Sequence, residues 1–177
     1  NEIGRFKLDL PKYTKKRKGE KKFNTGLLSA IGNEFKYGTK FFKGDRLISF
    51  MEIEIKKVGY IKIDVEGFEL NVIEGFWETL KKCDAICEVE INPRSMMLSG
   101  SNLSQIVSIM RNLSFKPIVE NKVDYDYIQN LKVFDIFFSK ENKEKKLINQ
   151  LKFKELTDID ISQYMEVFNS SYKINCK

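Results

Sequence analysis

Hydrophobic and polar positions along this chain follow two periods, and the clearest switch between them lies near its centre. Tyr60-Ile61-Lys62-Ile63-Asp64-Val65 is rich in β-branched and aromatic side chains and predicts a short strand. Gly67 breaks that strand. From Glu69 onward, Leu70, Ile73, Phe76 or Trp77, and Leu80 stand at helical spacing, and the pattern runs through Lys82. A strand, a tight glycine turn and a helix make the first half of a βαβ unit. The turn carries three carboxylates, Asp64, Glu66 and Glu69. Ligands of open α/β sheets bind at the carboxyl ends of strands, so chemistry is expected here first.

The flanking sequence continues the pattern. Phe6, Leu8 and Leu10 alternate with Lys7, Asp9 and Pro11, which predicts a strand after an initial turn. Lys12 to Lys22 holds seven basic residues and one acid and reads as a solvated loop, or as a steering surface for an anionic substrate. Gly32, Gly38 and Gly44 punctuate short strand-like pieces, including 40–43. Residues 85–91 predict another apolar strand, carrying Glu88 and Glu90 and followed by Asn92-Pro93. Leu103, Ile106, Val107, Met110 and Leu113 form a helical stripe, with Asn102 as N-cap and Gln105 three residues on. Residues 115–120 and 133–139 predict the last strands, joined by an acidic, tyrosine-rich loop at 124–127. Residues 140–146 alternate lysine and glutamate like a solvated helix start. Ile159, Ile161, Tyr164, Met165 and Phe168 then predict a short amphipathic helix, covering a sheet surface or serving another contact.

Composition narrows the chemistry. A chain of 177 residues buries one ordinary core, and 42% hydrophobic with 12% aromatic residues is globular. No apolar run approaches the ~20 residues of a membrane span, and no signal peptide is visible. The chain begins with Asn1 rather than Met and reads as a fragment or a processed product. Its net charge of +6 is mostly a lysine surplus, and no nucleic-acid partner is expected. Cys83, Cys87 and Cys176 show neither a CxxC pair nor a paired framework, which suits reduced residues of a cytoplasmic protein. Histidine is absent altogether. Every Ser-His-Asp or Cys-His arrangement is therefore excluded, and any base must be a carboxylate, tyrosine, lysine or thiolate.

The core motif also carries a resemblance. Tyr60-Ile-Lys-Ile-Asp-Val-Glu-Gly-Phe-Glu-Leu70, then Val72-Ile73-Glu74-Gly75 and Glu88-Val-Glu-Ile91, resembles the signature of FkbM-type methyltransferases. Phe23-Asn24-Thr25-Gly26-Leu27-Leu28-Ser29 is similar to a weaker element of that family. Ile48 and Ser49 stand where the family usually carries a Leu-Asp pair, a departure from its pattern. The resemblance implies S-adenosylmethionine-dependent O-methylation of a sugar or related small metabolite. It implies a Rossmann-like class I sheet of order 3-2-1-4-5-7-6 with the last strand antiparallel, of which residues 1–140 would supply strands 4-5-7-6. Residues 141–177 form a helical tail outside it. Asp64 is then first choice for orienting cofactor or acceptor or acting as base, with Val65 beside the cofactor. Glu66 is a candidate for acceptor binding or for complementing the helix dipole, and Glu69 for capping. Glu90 is a second carboxylate across the cleft. Asp64, Glu66 and Glu90 could together hold a divalent cation, but nothing in their spacing demands one and no metal is expected. Gly67 is assigned to the turn and Gly75 to close approach of helix and sheet.

Family members begin with a strand, a glycine-rich turn and a helix for the methionine end of the cofactor, then an acid for its ribose. Neither is recognisable in this chain. The isolated chain is therefore expected to bind S-adenosylmethionine weakly or not at all. The 60–65 strand would be a sheet edge, completed by a missing N-terminal half or by a second copy. The alternative is a non-catalytic methyltransferase-like remnant that binds a partner or a glycan.

Overall fold

We describe a computed structural model of the chain, covering residues 4–9, 35–140, 148 and 152–175. Side chains are described from residue 42 onward, except at 125, 128 and 172–175. The basic run at 12–22, the 23–29 element, Gly32, Cys176 and residues 141–146 lie outside that set.

Two strands, β1 (Gly4–Asp9) and β2 (Phe35–Phe41), pair antiparallel as a separate small sheet. Helix α1 (Gly44–Phe50) follows, and a 3-10 turn at Ile55–Lys57 leads into β3 (Tyr60–Ile63). Beyond the acidic turn come α2 (Glu69–Gly75), α3 (Trp77–Lys82) and β4 (Ile86–Ile91). Then follow α4 (Pro93–Ser99), α5 (Leu103–Asn112), β5 (Phe115–Glu120), α6 (Tyr125–Gln129) and β6 (Phe134–Lys140). The described tail holds β7 (Phe153–Glu155) and α7 (Asp158–Asn175).

The main sheet has the order β3-β4-β6-β5-β7. Strands β3 and β4 run parallel, whereas β6 pairs antiparallel with both β4 and β5, and β7 antiparallel with β5. The chain is thus α/β with a mixed five-stranded sheet. Among the described residues β3 is an edge, as expected for the 60–65 strand.

The period-two pattern sorts side chains between the faces of this sheet. Ile63, Cys87, Val89, Ile91, Phe134, Ile136 and Phe138 share one face and are buried. With Ile73, Leu80, Ile106, Met110 and Tyr164 they make one core, so the tail helix α7 covers the same face as α2 and α5. Tyr164 meets Phe134 edge-on, with ring centroids 6.0 Å apart. The opposite face carries Tyr60, Lys62, Glu88, Glu90 and Asp135, with Lys62 registered on Glu88 and Glu90 on Asp135. Cys83 and Cys87 are buried free thiols; burial first, and then Cys83, push the Cys87 thiol up to about 12.

Four elements differ from the sequence reading, the first being the loop expected at 124–127, from which α6 already starts at Tyr125. The single helix expected through Lys82 is two helices, broken after Gly75 at Phe76, which has φ −106 and ψ 20. Asp45 makes the second start possible: its carboxylate accepts from the Glu78 and Thr79 N–H groups and from the Thr79 hydroxyl, at 2.7–3.0 Å. Burial opposes the Asp45 charge, but those donors outweigh it and hold its pKa below the ordinary carboxylate value. Gly75 does not serve a close helix-to-sheet contact; a Cβ there would meet the Gly44 backbone at 3.5 Å, an ordinary distance. Gly44 is the tight position, since a Cβ would fall 2.2–2.5 Å from the Phe76 ring. Finally, the tail is not purely helical, because β7 adds to the sheet before α7 begins.

Lys140, at the end of β6, ties the layers together. Its ammonium donates to the carbonyls of Leu80, Lys81 and Cys83 at 3.0, 2.9 and 2.7 Å, where α3 ends, and lies 4.9 Å from the centre of the Phe115 ring. Lysine there satisfies carbonyls that the helix end leaves open. Lys140→Met keeps the aliphatic stem and removes the donors. It is expected to lower unfolding free energy by about 2 kcal/mol, read from the denaturant midpoint.

Candidate functional site

The turn after β3 brings the sequence-predicted carboxylates together. Asp64 follows Ile63 at the carboxyl end of the strand, and its side chain is 39% exposed. Glu66 has φ +51 and Gly67 φ +101, so two successive residues adopt the left-handed backbone that reverses the chain. Gly67 is thus required by the turn, as expected. Glu90, from the same face of β4, is half-buried. Oxygens of Asp64, Glu66 and Glu90 all lie within 4.8 Å of one another, although they come from separate strands and a turn. Oxygen trios of this kind can hold a divalent cation, and they also gather on solvated surfaces without one. Val65 points out of the turn at 38% exposed, a large apolar side chain beside the acids.

Glu69 has a different place. It is fully buried, and its Oε1 accepts from the N–H groups of Val65 and Gly67, at 3.2 and 3.0 Å. Glu69 therefore does not take the expected capping role: the start of α2 has no side-chain cap, and the carboxylate turns back to brace the acidic turn from beneath. Its Oε2 is buried with no partner among the described residues.

The electrostatics follow from this crowding. Burial comes first, then the negative charges of Asp64, Glu66, Asp135 and Glu69, and together they push the Glu90 carboxyl up to about 7. Glu88, one pleat away, is raised by burial and by Asp135 and Glu120. Lys62 answers part of this charge, lying 2.9 Å from Glu88 and 3.8 Å from Asp64. The Tyr60 hydroxyl also donates to Glu88. A half-buried carboxyl that titrates near neutral pH can take a proton from a bound hydroxyl, or return one.

This shift has a consequence for stability. The folded-state value of Glu90 lies above the ordinary 4.5, so folding favours its protonated form. That contribution is present below about pH 4.5 and is lost as pH rises through about 7. Glu90→Gln is expected to flatten the decline between pH 5 and 8 by about 1–2 kcal/mol, allowing for solvent screening. Denaturant midpoints at the two pH values check it.

Sequence reasoning did not single out Asn92, Ser95 or Asp135. Asn92 Nδ2 and Ser95 Oγ both donate to Glu66 Oε2, at 3.2 and 3.0 Å. Asn92 Oδ1 also accepts from the Ser95 N–H, capping α4. An asparagine directly before a proline is a helix-start signal, and it could have pointed to α4. Asp135 reaches Glu90 only through the β4–β6 register, which sequence period does not disclose.

A family model described as the methyltransferase FkbM domain matches residues 16–117, more than half of the chain. Neither the curated proteins nor the solved structures yield a match. The matched span contains β3, its acidic turn, α2 and β4, the elements that assemble Asp64, Glu66 and Glu90, and the chain belongs to the FkbM methyltransferase family.

Proposed function

We propose that these residues form the acceptor side of an S-adenosylmethionine-dependent O-methyltransferase acting on a sugar or a related small metabolite. The observation that carries this reading is the convergence of Asp64, Glu66 and Glu90 at the end of β3, with Glu90 titrating near 7. The strand order β3-β4-β6-β5, with β6 reversed, is the arrangement that strands 4-5-7-6 of a class I methyltransferase sheet would take. It supports reading residues 1–140 as the C-terminal portion of that domain, with 141–177 appended.

The donor set suits the cofactor. Carboxylates favour a cationic sulfonium and accept from hydroxyls, and exposed Val65 offers apolar surface beside them. When bound, the cofactor supplies an electrophilic methyl group, and the electron pair of the breaking S–C bond stays on sulfur. Asp64 orients the acceptor in line or receives its proton, Glu66 accepts from a neighbouring hydroxyl, and Glu90 takes up or shares the released proton. Polyhydroxylated acceptors match three carboxylates within 4.8 Å. The reading includes a cytoplasmic site of action and no nucleic-acid partner. Among the described residues no helix is long and apolar enough to cross a membrane.

Calorimetry with S-adenosylmethionine tests the proposal. The chain alone is expected to give little or no heat, because a glycine-rich strand-turn-helix and a ribose-binding acid are not recognisable in it. Joined to such a module, in a longer form or in trans, it is expected to bind the cofactor and transfer methyl. A complemented form that binds no cofactor would overturn the proposal in favour of a non-catalytic partner- or glycan-binding remnant.

A further inference from the structure

We propose that Asn92 and Ser95 are positioning residues that clamp the Glu66 carboxylate against Asp64 and Glu90, so that the turn and β4 present all three to the acceptor together. The inference rests on the methyltransferase reading for its chemistry, but the clamp itself stands on geometry.

Glu66 sits in left-handed backbone, which a non-glycine residue adopts only when its surroundings hold it there. The turn is held from two sides. Glu69 braces the N–H groups of Val65 and Gly67 from beneath, and the start of α4 takes the Glu66 side chain. Asn92 uses both ends of its amide. The Ser95 N–H needs an acceptor and Glu66 needs a donor, so only one orientation serves both. Both protein donors converge on Glu66 Oε2, leaving Oε1 to a hydroxyl of the acceptor. Neither Asn92 nor Ser95 touches the reacting atoms; each acts through Glu66.

The charged groups facing Glu90 are Asp64 and Glu66 from the turn, Glu69 from α2 and Asp135 from β6, with Lys62 on β3 beside Asp64. If the clamp fixes Glu66, releasing it lets that carboxylate swing toward solvent, and its repulsion of Glu90 falls. The titration of Glu90 then reports on the clamp without any need for catalysis.

The experiment compares the chain with Ser95→Ala and with Ser95→Ala/Asn92→Thr, following the Glu90 side-chain carboxyl by ¹³C NMR across pH 4–9. Threonine keeps an N-cap oxygen and loses the amide donor. The Glu90 midpoint is expected to fall by about half a pH unit or more in the double variant, while unfolding stays cooperative. Ser95→Thr, which retains a hydroxyl, is expected to stay at the parent value. An unchanged midpoint in the double variant would overturn the clamp. If the double variant does not fold, Ser95→Ala decides alone, since it leaves the α4 cap intact: a lowered Glu90 midpoint supports the clamp and an unchanged one overturns it. In a form that transfers methyl, clamp loss is expected to lower kcat about tenfold with little change in KM for the cofactor. In a variant that folds, an unchanged kcat would instead mark a merely structural pair and overturn the proposal. Absence of methyl transfer from every form sinks the methyltransferase reading, and the Glu90 titration still decides the clamp.

Discussion

Asp64→Asn is expected to reduce methyl-transfer turnover by about 10²–10⁴-fold in the complemented enzyme, with stability changed by less than about 1 kcal/mol. The two halves of this expectation have separate causes. Asp64 is well exposed and its ion pair with Lys62 is long, at 3.8 Å, so little folding free energy depends on it. Its position at the end of β3 places it beside both other carboxylates, where an amide of the same shape offers neither a base nor a negative charge. The same substitution should draw the Glu90 midpoint down from about 7, because Asp64 is the leading charge acting on it after burial. Single-turnover kinetics and a thermal scan check the first statement. A variant with full turnover would leave Asp64 with only an electrostatic influence on its neighbour.

Glu69→Ala is expected to do the reverse and fail through the fold. Glu69 Oε1 serves two backbone donors of the turn, and the side chain is wholly enclosed. Truncation strands the Val65 and Gly67 N–H groups and opens a cavity beneath them, at a cost of about 2–4 kcal/mol. Glu69→Gln keeps an acceptor oxygen of the same reach and should recover most of that loss. Urea unfolding of the three forms separates the outcomes. Equal stability of the alanine variant and the parent would show that the turn is held by other means.

The contrast between these two acids bears on what a sequence discloses. Asp64 and Glu69 belong to one motif and one turn, yet one faces solvent and the other is entombed. Helical spacing hinted at the difference, since Glu69 opens α2 in phase with the buried Ile73. Elements held by local chemistry were legible: Asn102 and Gln105 form the expected reciprocal cap, and β4, α5 and β5 fall where their periods put them. Features set by distant partners were not. The break at Phe76 depends on Asp45, more than thirty positions earlier, and β7 is a strand only because β5 pairs with it. The candidate acids could be read as a set because they sit on strand ends of one motif. Their support by Asn92, Ser95 and Asp135 required the fold.

The reversed β6 also decides how the polypeptide can be cut. The family match ends at 117, midway along β5, yet β4 is sandwiched between β3 and a strand that begins at Phe134. Trimming at the homology boundary would strip one flank from β4, remove Phe134, Ile136 and Phe138 from beside Ile91, Val89 and Cys87, and delete Asp135 from the neighbourhood of Glu90. A minimal expression product should therefore extend through α7, whose Tyr164 meets Phe134 at the start of that strand.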